Sequence, residues 1–495
     1  MKKVTKRILL IAMGITLLNG CTDLEEQPEG LLSPESFFSN EVDFEAALVG
    51  NYRSYFGGWG GFDFVNAFVM NGGAEDMSSR PPAFNLNQYD RFLTQPSAGA
   101  HSAMWNALYA GIANSNNIIS NIGNLEGVVS AERKDEIEGQ ARFLRALGYF
   151  YLVRWFGEVP IITSENQTDA DVVGQSPVAD IYNLIVSDLS LAENQLPPSF
   201  AEAGKAPRGA AKALLAKVYL TMAGWPLEDT SNYALARDKA NELISGNLAG
   251  TYSLEEDFAD LWLVDNKLNN SEFIFSFFGA SNGEGSKFHH SSRPGVEGGW
   301  SDWYSEDRFF NAFPDDYRKD ISFHTVFLDG TAWEDGEFQQ PYIAKFRDGG
   351  VPCGPGDGGC GGAQGDFGIP ILRYAEVLLI YAEAANMAEG SPSASALEAI
   401  NQVRRRANNL DSNTPDASVD LTAGISQGDF DDAVIAERAW ELAFEHKRWF
   451  DLVRKKMVVE VNQDLHPNVT ENNRLLPKPA TEVDLIEGLE QNPGY

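Results

Sequence analysis

Apolar residues recur every three or four positions along much of this chain, which is the spacing that lines one face of an α-helix. The longest runs of this kind cover residues 101–122, 131–156 and 178–195. The same period continues through residues 208–224, 231–246, 371–388, 393–408 and 430–456. The pattern therefore predicts a mainly α fold.

Many of these helices come in pairs whose members are separated by a short helix-breaking segment. Gly390-Ser391-Pro392, for example, separates residues 371–388 from residues 393–408, and small residues such as Ala213 and Ala382 recur where helices must approach closely. Paired helices with small contact residues resemble tetratricopeptide units. We expect a tetratricopeptide-like helical-repeat scaffold, with a helical bundle that lacks repeats as the alternative.

Two long regions, residues 56–100 and 250–370, lack the helical period and are rich in glycine, proline, asparagine and aromatic residues. Within the second region, Glu272-Phe273-Ile274-Phe275-Ser276-Phe277 indicates a short strand. Long irregular segments on a rigid scaffold are commonly functional. We therefore predict a scaffold formed mainly by residues 101–246 and 371–456, which carries a large loop-rich binding face with a few short strands.

The N-terminus has the pattern of a processing signal rather than of a folded element. A basic start precedes an apolar run, residues 8–18, that is too short for a comfortable bilayer span. The run ends in Leu18-Asn19-Gly20-Cys21, which resembles the lipobox of bacterial lipoproteins. An ordinary secretory signal is the alternative. The lipobox implies that residues 1–20 are a signal peptide and that residues 21–35 are a flexible tether, which starts at an acylated Cys21. Residues 36–495 would then form a single folded body.

The chain is strongly acidic, with 71 Asp and Glu residues against 38 Lys and Arg residues. Cleavage after residue 20 would remove four of the basic residues and leave a net charge near −37. Such a surface repels nucleic acid and anionic lipid. We expect no nucleic-acid partner.

Two further cysteines, Cys353 and Cys360, flank a glycine-rich loop. In a chain that is predicted to be exported, a disulfide is the expected pairing. The loop offers too few ligands for a metal site. We expect no metal and no cofactor.

Three late segments resemble the SusD/RagB family of outer-membrane nutrient-binding lipoproteins. They are residues 372–384, which begin Leu372-Arg373-Tyr374-Ala375-Glu376; residues 437–454, which include Glu445-His446-Lys447-Arg448-Trp449-Phe450; and Leu476-Pro477-Lys478-Pro479 through Glu482 with Gln491-Asn492-Pro493-Gly494-Tyr495. The resemblance implies a lipid-anchored protein of the outer membrane that faces the cell exterior. It would bind a nutrient and pass it to a SusC-like TonB-dependent transporter without catalysis.

The nature of the nutrient stays open between a glycan and an oligopeptide of the RagB kind. Clustered tryptophans favour an oligo- or polysaccharide, because a sugar ring offers a C–H face to an aromatic side chain and a rim of hydroxyls to polar groups. A surface glycoside hydrolase that uses Glu441 or Glu445 is a further alternative, since paired carboxylates catalyse that reaction. The last alternative is a scaffold protein that only joins other proteins.

Candidate ligand contacts are aromatic residues that lack helical period and lie near polar groups. They form an N-terminal cluster of Trp59, Asp76, Arg80, Asn85 and Tyr89, in which the family resemblance singles out Asp76 and Arg80, and a second cluster of Arg293, Trp300, Trp303 and Tyr304. Trp300 and Trp303 are the first choice for stacking. The alternative for each aromatic residue is a structural role, in which its side chain packs a loop against the scaffold.

The tryptophans that are expected in the core or at interfaces between helices form a separate group. They are Trp105, Trp155, Trp262, Trp440 and Trp449.

Overall fold

The computed structural model describes residues 37–56, 62, 69, 71–80, 87–278, 286–346, 365 and 368–495. Residues 1–36, with the predicted signal peptide, Cys21 and the predicted tether, lie outside this part. Trp59, Asn85, Cys353 and Cys360 also lie outside it. No helix in the described part is long and apolar enough to cross a membrane.

Helices dominate the first half of the described chain. They are α1 (Glu41–Phe56), α2 (Asn87–Asp90), α3 (Gly99–Asn121), α4 (Ala131–Phe156), α5 (Val178–Gln195), α6 (Arg208–Met222) and α7 (Asn232–Ile244). Local signals set the ends of α4. The Ser130 hydroxyl accepts a hydrogen bond from the Arg133 amide at 3.2 Å, and Gly157 ends the helix at a φ of +68°. That φ favours a residue without a Cβ atom.

A second group of helices follows, short at first and longer toward the C-terminus. They are α8 (Phe288–Ser291), α9 (Asp307–Ala312), α10 (Tyr317–Ser322), α11 (Tyr374–Glu389), α12 (Ala394–Ala407), α13 (Gln427–Glu441), α14 (Arg448–Arg454), α15 (Val458–Asn462) and α16 (Ala480–Leu485).

One predicted helix is interrupted. The apolar period of residues 430–456 is shared between α13 and α14, with a turn between them in which Phe444 and His446 have φ values of +68° and +60°. A left-handed backbone ends a right-handed helix. The ammonium group of Lys345 donates to the Ala443 carbonyl at 3.0 Å, in place of a helical amide. The prediction of one continuous helix is therefore wrong at this turn.

Helices that are neighbours in the chain pack on each other. The pairs are α3 with α4, α4 with α5, α5 with α6, α6 with α7 and α11 with α12. Helix α7 also packs on α11, which joins the two helical groups within one unit, Asn40–Tyr495. The predicted mainly α, tetratricopeptide-like scaffold is confirmed.

Tyr55 shows how small residues let these helices approach. Its hydroxyl donates to the Leu144 carbonyl at 2.8 Å, between α3 and α4. A Cβ atom on Gly111 would lie 2.4 Å from the Tyr55 ring, and one on Gly148 would lie 2.6 Å from its hydroxyl. Glycine at both positions gives the aromatic ring its space.

Most of the tryptophans expected in the core are buried. Trp105, Trp155, Trp262 and Trp449 are at most 5% exposed. Trp440 differs, because it is only partly buried and packs against the edge of the core.

A few short strands complete the described structure. They are β1 (Ser78–Ser79), β2 (Phe273–Phe277), β3 (Trp303–Tyr304), β4 (Phe323–His324), β5 (Tyr342–Ile343) and β6 (Ile369–Arg373). Within the described residues they pair as antiparallel two-stranded sheets, β1 with β3, β2 with β6 and β4 with β5. Strand β2 is the strand that the aromatic alternation predicts.

A buried ion-pair network joins α10, α12 and α13 to β6 and to the residue before β2. Its members are at most 1% exposed and comprise Glu272, Glu437, Glu441, Glu445, Arg318, Lys345, Arg373 and Arg406. The central carboxylate is that of Glu441. One of its oxygens accepts from Arg373 and Arg406 at 2.6 Å each, and the other accepts from Arg318 at 2.8 Å.

Burial alone would raise the pKa of Glu441. The positive charges of Arg406, Arg373 and Arg318 outweigh that effect and hold its pKa well below the usual range. Glu441 is therefore ionised in the folded chain, and three guanidinium groups depend on its charge. Removing one partner of a buried ion pair leaves an uncompensated charge, which costs about 3–5 kcal/mol.

We expect Glu441→Gln to lower the free energy of unfolding by about 3–5 kcal/mol, because Arg318, Arg373 and Arg406 lose their shared counter-charge. Urea unfolding followed by circular dichroism measures this. Glu389→Gln is the matched control, since Glu389 forms an exposed ion pair with Arg237 at 3.3 Å. Such pairs contribute about 0–1 kcal/mol. Equal effects of the two substitutions would contradict this role of Glu441.

Candidate functional site

A two-stranded sheet brings the two sequence-predicted clusters together. Ser78 in β1 pairs with Tyr304 in β3, and Ser79 pairs with Trp303. Next to this sheet the Arg80 amide donates to the Asp302 carbonyl at 3.2 Å. Arg80 and Asp302 are 222 residues apart in the chain, and their segments thus lie side by side.

The segment before β1 is fixed to the turn between α13 and α14. One carboxylate oxygen of Asp76 accepts from the Phe444 amide at 2.9 Å. Arg448 donates to the Glu75 carboxylate at 2.8 Å through its Nε atom. These bonds attach a loop of the N-terminal half to the scaffold of the C-terminal half.

The segment before β3 folds back on α8. The Trp300 amide donates to the His290 carbonyl at 3.0 Å, and the Asp302 amide donates to the Ser291 carbonyl at 2.8 Å. Gly299 permits this turn, because a Cβ atom there would lie 2.2 Å from the Arg293 carbonyl oxygen. The Trp300 ring stands edge-on to the His290 ring, with the centroids 4.6 Å apart.

Several residues predicted as ligand contacts have buried side chains. Asp76, Tyr89, Arg293, Trp303 and Tyr304 are 0%, 3%, 6%, 1% and 8% exposed. A ring that is 1% exposed offers no face to a sugar, and the Asp76 carboxylate is engaged by Phe444. The Tyr89 hydroxyl accepts from the His101 amide at 3.0 Å. In this structure these side chains are buried among the loops, and direct contact with a ligand stays a prediction for them.

Two predicted residues reach the surface, Trp300 and Arg80. Trp300 is half-buried at the edge of the core. The Arg80 side chain is 33% exposed, and its Nε atom donates to the Asp302 carboxylate at 3.2 Å. Its terminal nitrogens make no hydrogen bond with a residue of the described part. A planar guanidinium that is held at Nε presents the remaining donors in a fixed direction.

Aromatic residues that the sequence did not single out line the same region. Phe338 stacks on Tyr304 with the centroids 5.8 Å apart, and Tyr342 meets Tyr304 edge-on at 6.3 Å. Trp333 packs beside them and is half-buried. Val326 and Leu328 nearby in the chain are 58% and 59% exposed. No periodic spacing marks these residues, because they lie in the short strand β5 or in the short turns before it.

Acidic groups around the sheet are buried enough to hold protons more tightly than usual. Burial raises the pKa of Asp76 to about 7 and that of Asp302 to about 6, against the opposing effects of the Phe444 amide and of Arg80. The pKa of Glu306 is raised to about 8, again chiefly by burial. The site therefore becomes more negative as the pH rises through the neutral range.

The carboxylates that would serve a hydrolase are in the ion-pair network instead. Glu441 is 0% exposed and Glu445 is 1% exposed. Glu445 accepts from Arg373 at 2.8 Å and from Lys345 at 3.0 Å. Because their oxygens are occupied by cations in the core, these two residues do not reach a glycosidic bond at the surface.

Asp76→Asn is expected to remove the loss of unfolding free energy that the wild type suffers when Asp76 ionises in the folded chain. The pKa of Asp76 rises from 3.8 to about 7 on folding, so the native chain keeps a proton that the unfolded chain releases between these values. The stabilising effect of that proton is complete below pH 3.8 and is lost as the pH rises through 7. Urea unfolding measures this. Between about pH 4.5 and 8.5 the unfolding free energy of the variant should rise by roughly 3 kcal/mol relative to that of the wild type.

Asp307→Asn, which changes an exposed aspartate on α9, is the matched control for this series. Its unfolding free energy should follow that of the wild type at every pH. Parallel curves for Asp76→Asn and the wild type would contradict the buried, protonated state of Asp76.

Family models match both halves of the chain. One described as the SusD family covers residues 300–495, and one described as starch-binding and associating with the outer membrane covers residues 63–220. The SusD-like protein P2 of Formosa agariphila is 30% identical, over 99% of this chain and 99% of its own. The resemblance carried by the late motifs is thereby confirmed.

Solved structures share the fold. A SusD homologue from Bacteroides thetaiotaomicron superposes with a TM-score of 0.83 at 24% identity, covering 93% of this chain and 98% of its own. A laminarin-binding SusD-like protein gives a TM-score of 0.74 at 24% identity, covering 92% and 100%. Motifs, full-length relatives and architecture agree, and this chain belongs to the SusD family.

Proposed function

We propose that this protein is a cell-surface lipoprotein that captures an oligo- or polysaccharide and delivers it to a TonB-dependent transporter of the outer membrane. Membership of the SusD family supports the role, as does the starch-binding description of the matched family model. The observation that carries the proposal is the pairing of β1 with β3, because beside it Arg80 bonds Asp302, which is two residues from Trp300 in the chain.

The chemistry of these two side chains suits a sugar. The indole of Trp300 is half-buried, and an indole ring is suited to stacking on the C–H face of a pyranose ring. The terminal nitrogens of Arg80 can donate to ring hydroxyls, while Asp302 holds the guanidinium in place. One stacked ring and a few hydrogen bonds give modest affinity, with Kd from about micromolar to millimolar, or roughly −8 to −4 kcal/mol.

Modest affinity fits a protein that hands its ligand on. A transporter can accept a glycan only if the capturing protein releases it, and fast release follows from weak binding. The proposal requires no bond cleavage. It therefore needs no general acid at the surface, in keeping with the burial of Glu441 and Glu445.

Membrane attachment would come from the N-terminus. An acylated Cys21 followed by a polar tether places the folded body at the outer-membrane surface without a spanning helix. Each buried acyl CH₂ contributes about 0.8 kcal/mol, and stable anchoring takes more than one chain. Delivery to a partner barrel is then a transfer between two proteins held at the same membrane.

Trp300→Ala and Arg80→Ala should each weaken glycan binding about tenfold or more, since a tenfold change is 1.4 kcal/mol and each variant removes a contact of that order. Calorimetry against a panel that starts with starch and laminarin measures the loss. Trp225→Ala and Arg237→Ala are matched controls, because Trp225 is half-buried near α6 and Arg237 lies on the surface of α7. Both controls should bind like the wild type.

Three results of the same panel would overturn the proposal. The first is unchanged binding in both Trp300→Ala and Arg80→Ala. The second is binding of oligopeptides with no binding of any glycan, which would favour the RagB-type role. The third is the release of shortened glycan by purified protein, which would make the protein a hydrolase.

Cys21→Ala is expected to move the protein from the membrane fraction to the soluble fraction, because it removes the acylated residue. Labelling of cells with a radioactive or clickable palmitate, followed by fractionation, measures this. Thr22→Ala is the matched control and should leave both label and location unchanged. Membrane-bound, labelled Cys21→Ala would contradict anchoring through this cysteine.

A further inference from the structure

A cavity of about 290 Å³ opens between the end of α12, the last turns of α13 and the start of α10. None of its lining residues belongs to the loops that carry Trp300 and Arg80. Small-ligand pockets span about 300–1,000 Å³, so this one has room for a single ring rather than a chain.

One wall of the cavity is Trp440. It is half-buried, unlike Trp105 and Trp155, which are at most 2% exposed. Within the described part of the chain, no residue accepts a hydrogen bond from its indole N–H group. Helix α13 thus contributes a half-buried indole to the lining of the cavity.

A polar group without a partner lines the same cavity. Asp315 is exposed and makes no hydrogen bond or ion pair within the described part. Arg318 is 1% exposed, and its terminal nitrogens bind Glu437 and Asp316. Asp315 therefore leaves an acceptor for a ligand, and Arg318 does not leave a donor.

Arg404 forms the opposite side. Its Nε atom donates to the Val419 carbonyl at 2.8 Å, its contact with Glu437 is long at 3.4 Å, and the side chain is 26% exposed. The guanidinium is therefore oriented and still accessible. Asn408, exposed at the end of α12, adds an amide to the rim.

The charges of the lining indicate the class of ligand. The carboxylates of Asp315, Asp316 and Glu437 face the guanidiniums of Arg318 and Arg404, so an anionic ligand would gain little. No group of His, Cys, Asp and Glu suited to a metal ion occurs among the described residues. A neutral ligand with one apolar face and several hydroxyls matches an aromatic wall with a polar rim.

We propose that this cavity is a second carbohydrate subsite, which takes one neutral sugar ring on Trp440. Ring hydroxyls accept from Arg404 and donate to Asp315. The inference rests on the proposed function only in that a glycan is the ligand. Two contact points on one polysaccharide raise the effective affinity without stronger contacts at either point.

Native mass spectrometry with short oligosaccharides of glucose, galactose, mannose and xylose tests the subsite. Wild-type protein should bind two copies of the sugar that it selects. Asp315→Ala should weaken one of them about tenfold, the usual scale for a hydrogen bond to a charged group. Trp440→Ala should remove the same copy, and Asp320→Ala, which changes an exposed aspartate of α10 outside the cavity, should keep both.

The outcomes separate this inference from the proposed function. If the wild type binds one copy, which Trp300→Ala removes and Asp315→Ala and Trp440→Ala retain, the second subsite is refuted and the glycan-binding role stands. If two copies bind and neither cavity variant changes either, the subsite is also refuted. If no sugar binds to the wild type, the proposed function fails and the subsite fails with it. Asp315 is exposed and makes no hydrogen bond or ion pair within the described part, so its variant stays informative if Trp440→Ala is unstable.

Discussion

The Glu441 carboxylate is the interaction on which the architecture depends. It is buried, and it holds guanidiniums from α10, α12 and β6 within 2.8 Å. The desolvation of buried charges is offset only by close pairing and hydrogen bonds. Breaking these pairs would leave buried charges without partners, so the network holds α10, α12 and β6 close to the end of α13.

That turn connects the ion-pair network to the proposed binding face. Phe444, which stands in the turn, donates to Asp76, and Arg448 at the start of α14 binds Glu75. The segment so anchored continues into β1, which pairs with β3, and Arg80 meets Asp302 beside the sheet. Loops of this length would lose much entropy on binding a ligand if they were free. Attachment to the core removes that cost before the ligand arrives.

Sequence patterns predict the scaffold well, because helical period is a local property. The bounds of α4 and α5 coincide with the apolar runs, and the strand predicted from aromatic alternation is β2. The break between α13 and α14 escaped prediction for a physical reason. The ammonium group that replaces the helical donor belongs to Lys345, nearly a hundred residues earlier in the chain.

The site is predictable only in part. Residue types pointed to two segments that the fold brings together, yet nothing in them shows that the Asp76 carboxylate would accept a hydrogen bond from an amide 368 residues away. Trp303 lies in a strand of two residues, which is too short to show which side chains face inward. Trp300 and Arg80 reach the surface because the flanking residues take the buried positions. Tertiary pairing, which no local pattern encodes, decides which candidates touch a ligand.

Hydrogen–deuterium exchange with and without a bound oligosaccharide would locate the binding face. We expect slower exchange of the amides in residues 76–80 and 288–304, because the ligand would cover the surface beside β1 and β3. Unchanged exchange in both segments at saturating sugar would contradict this expectation.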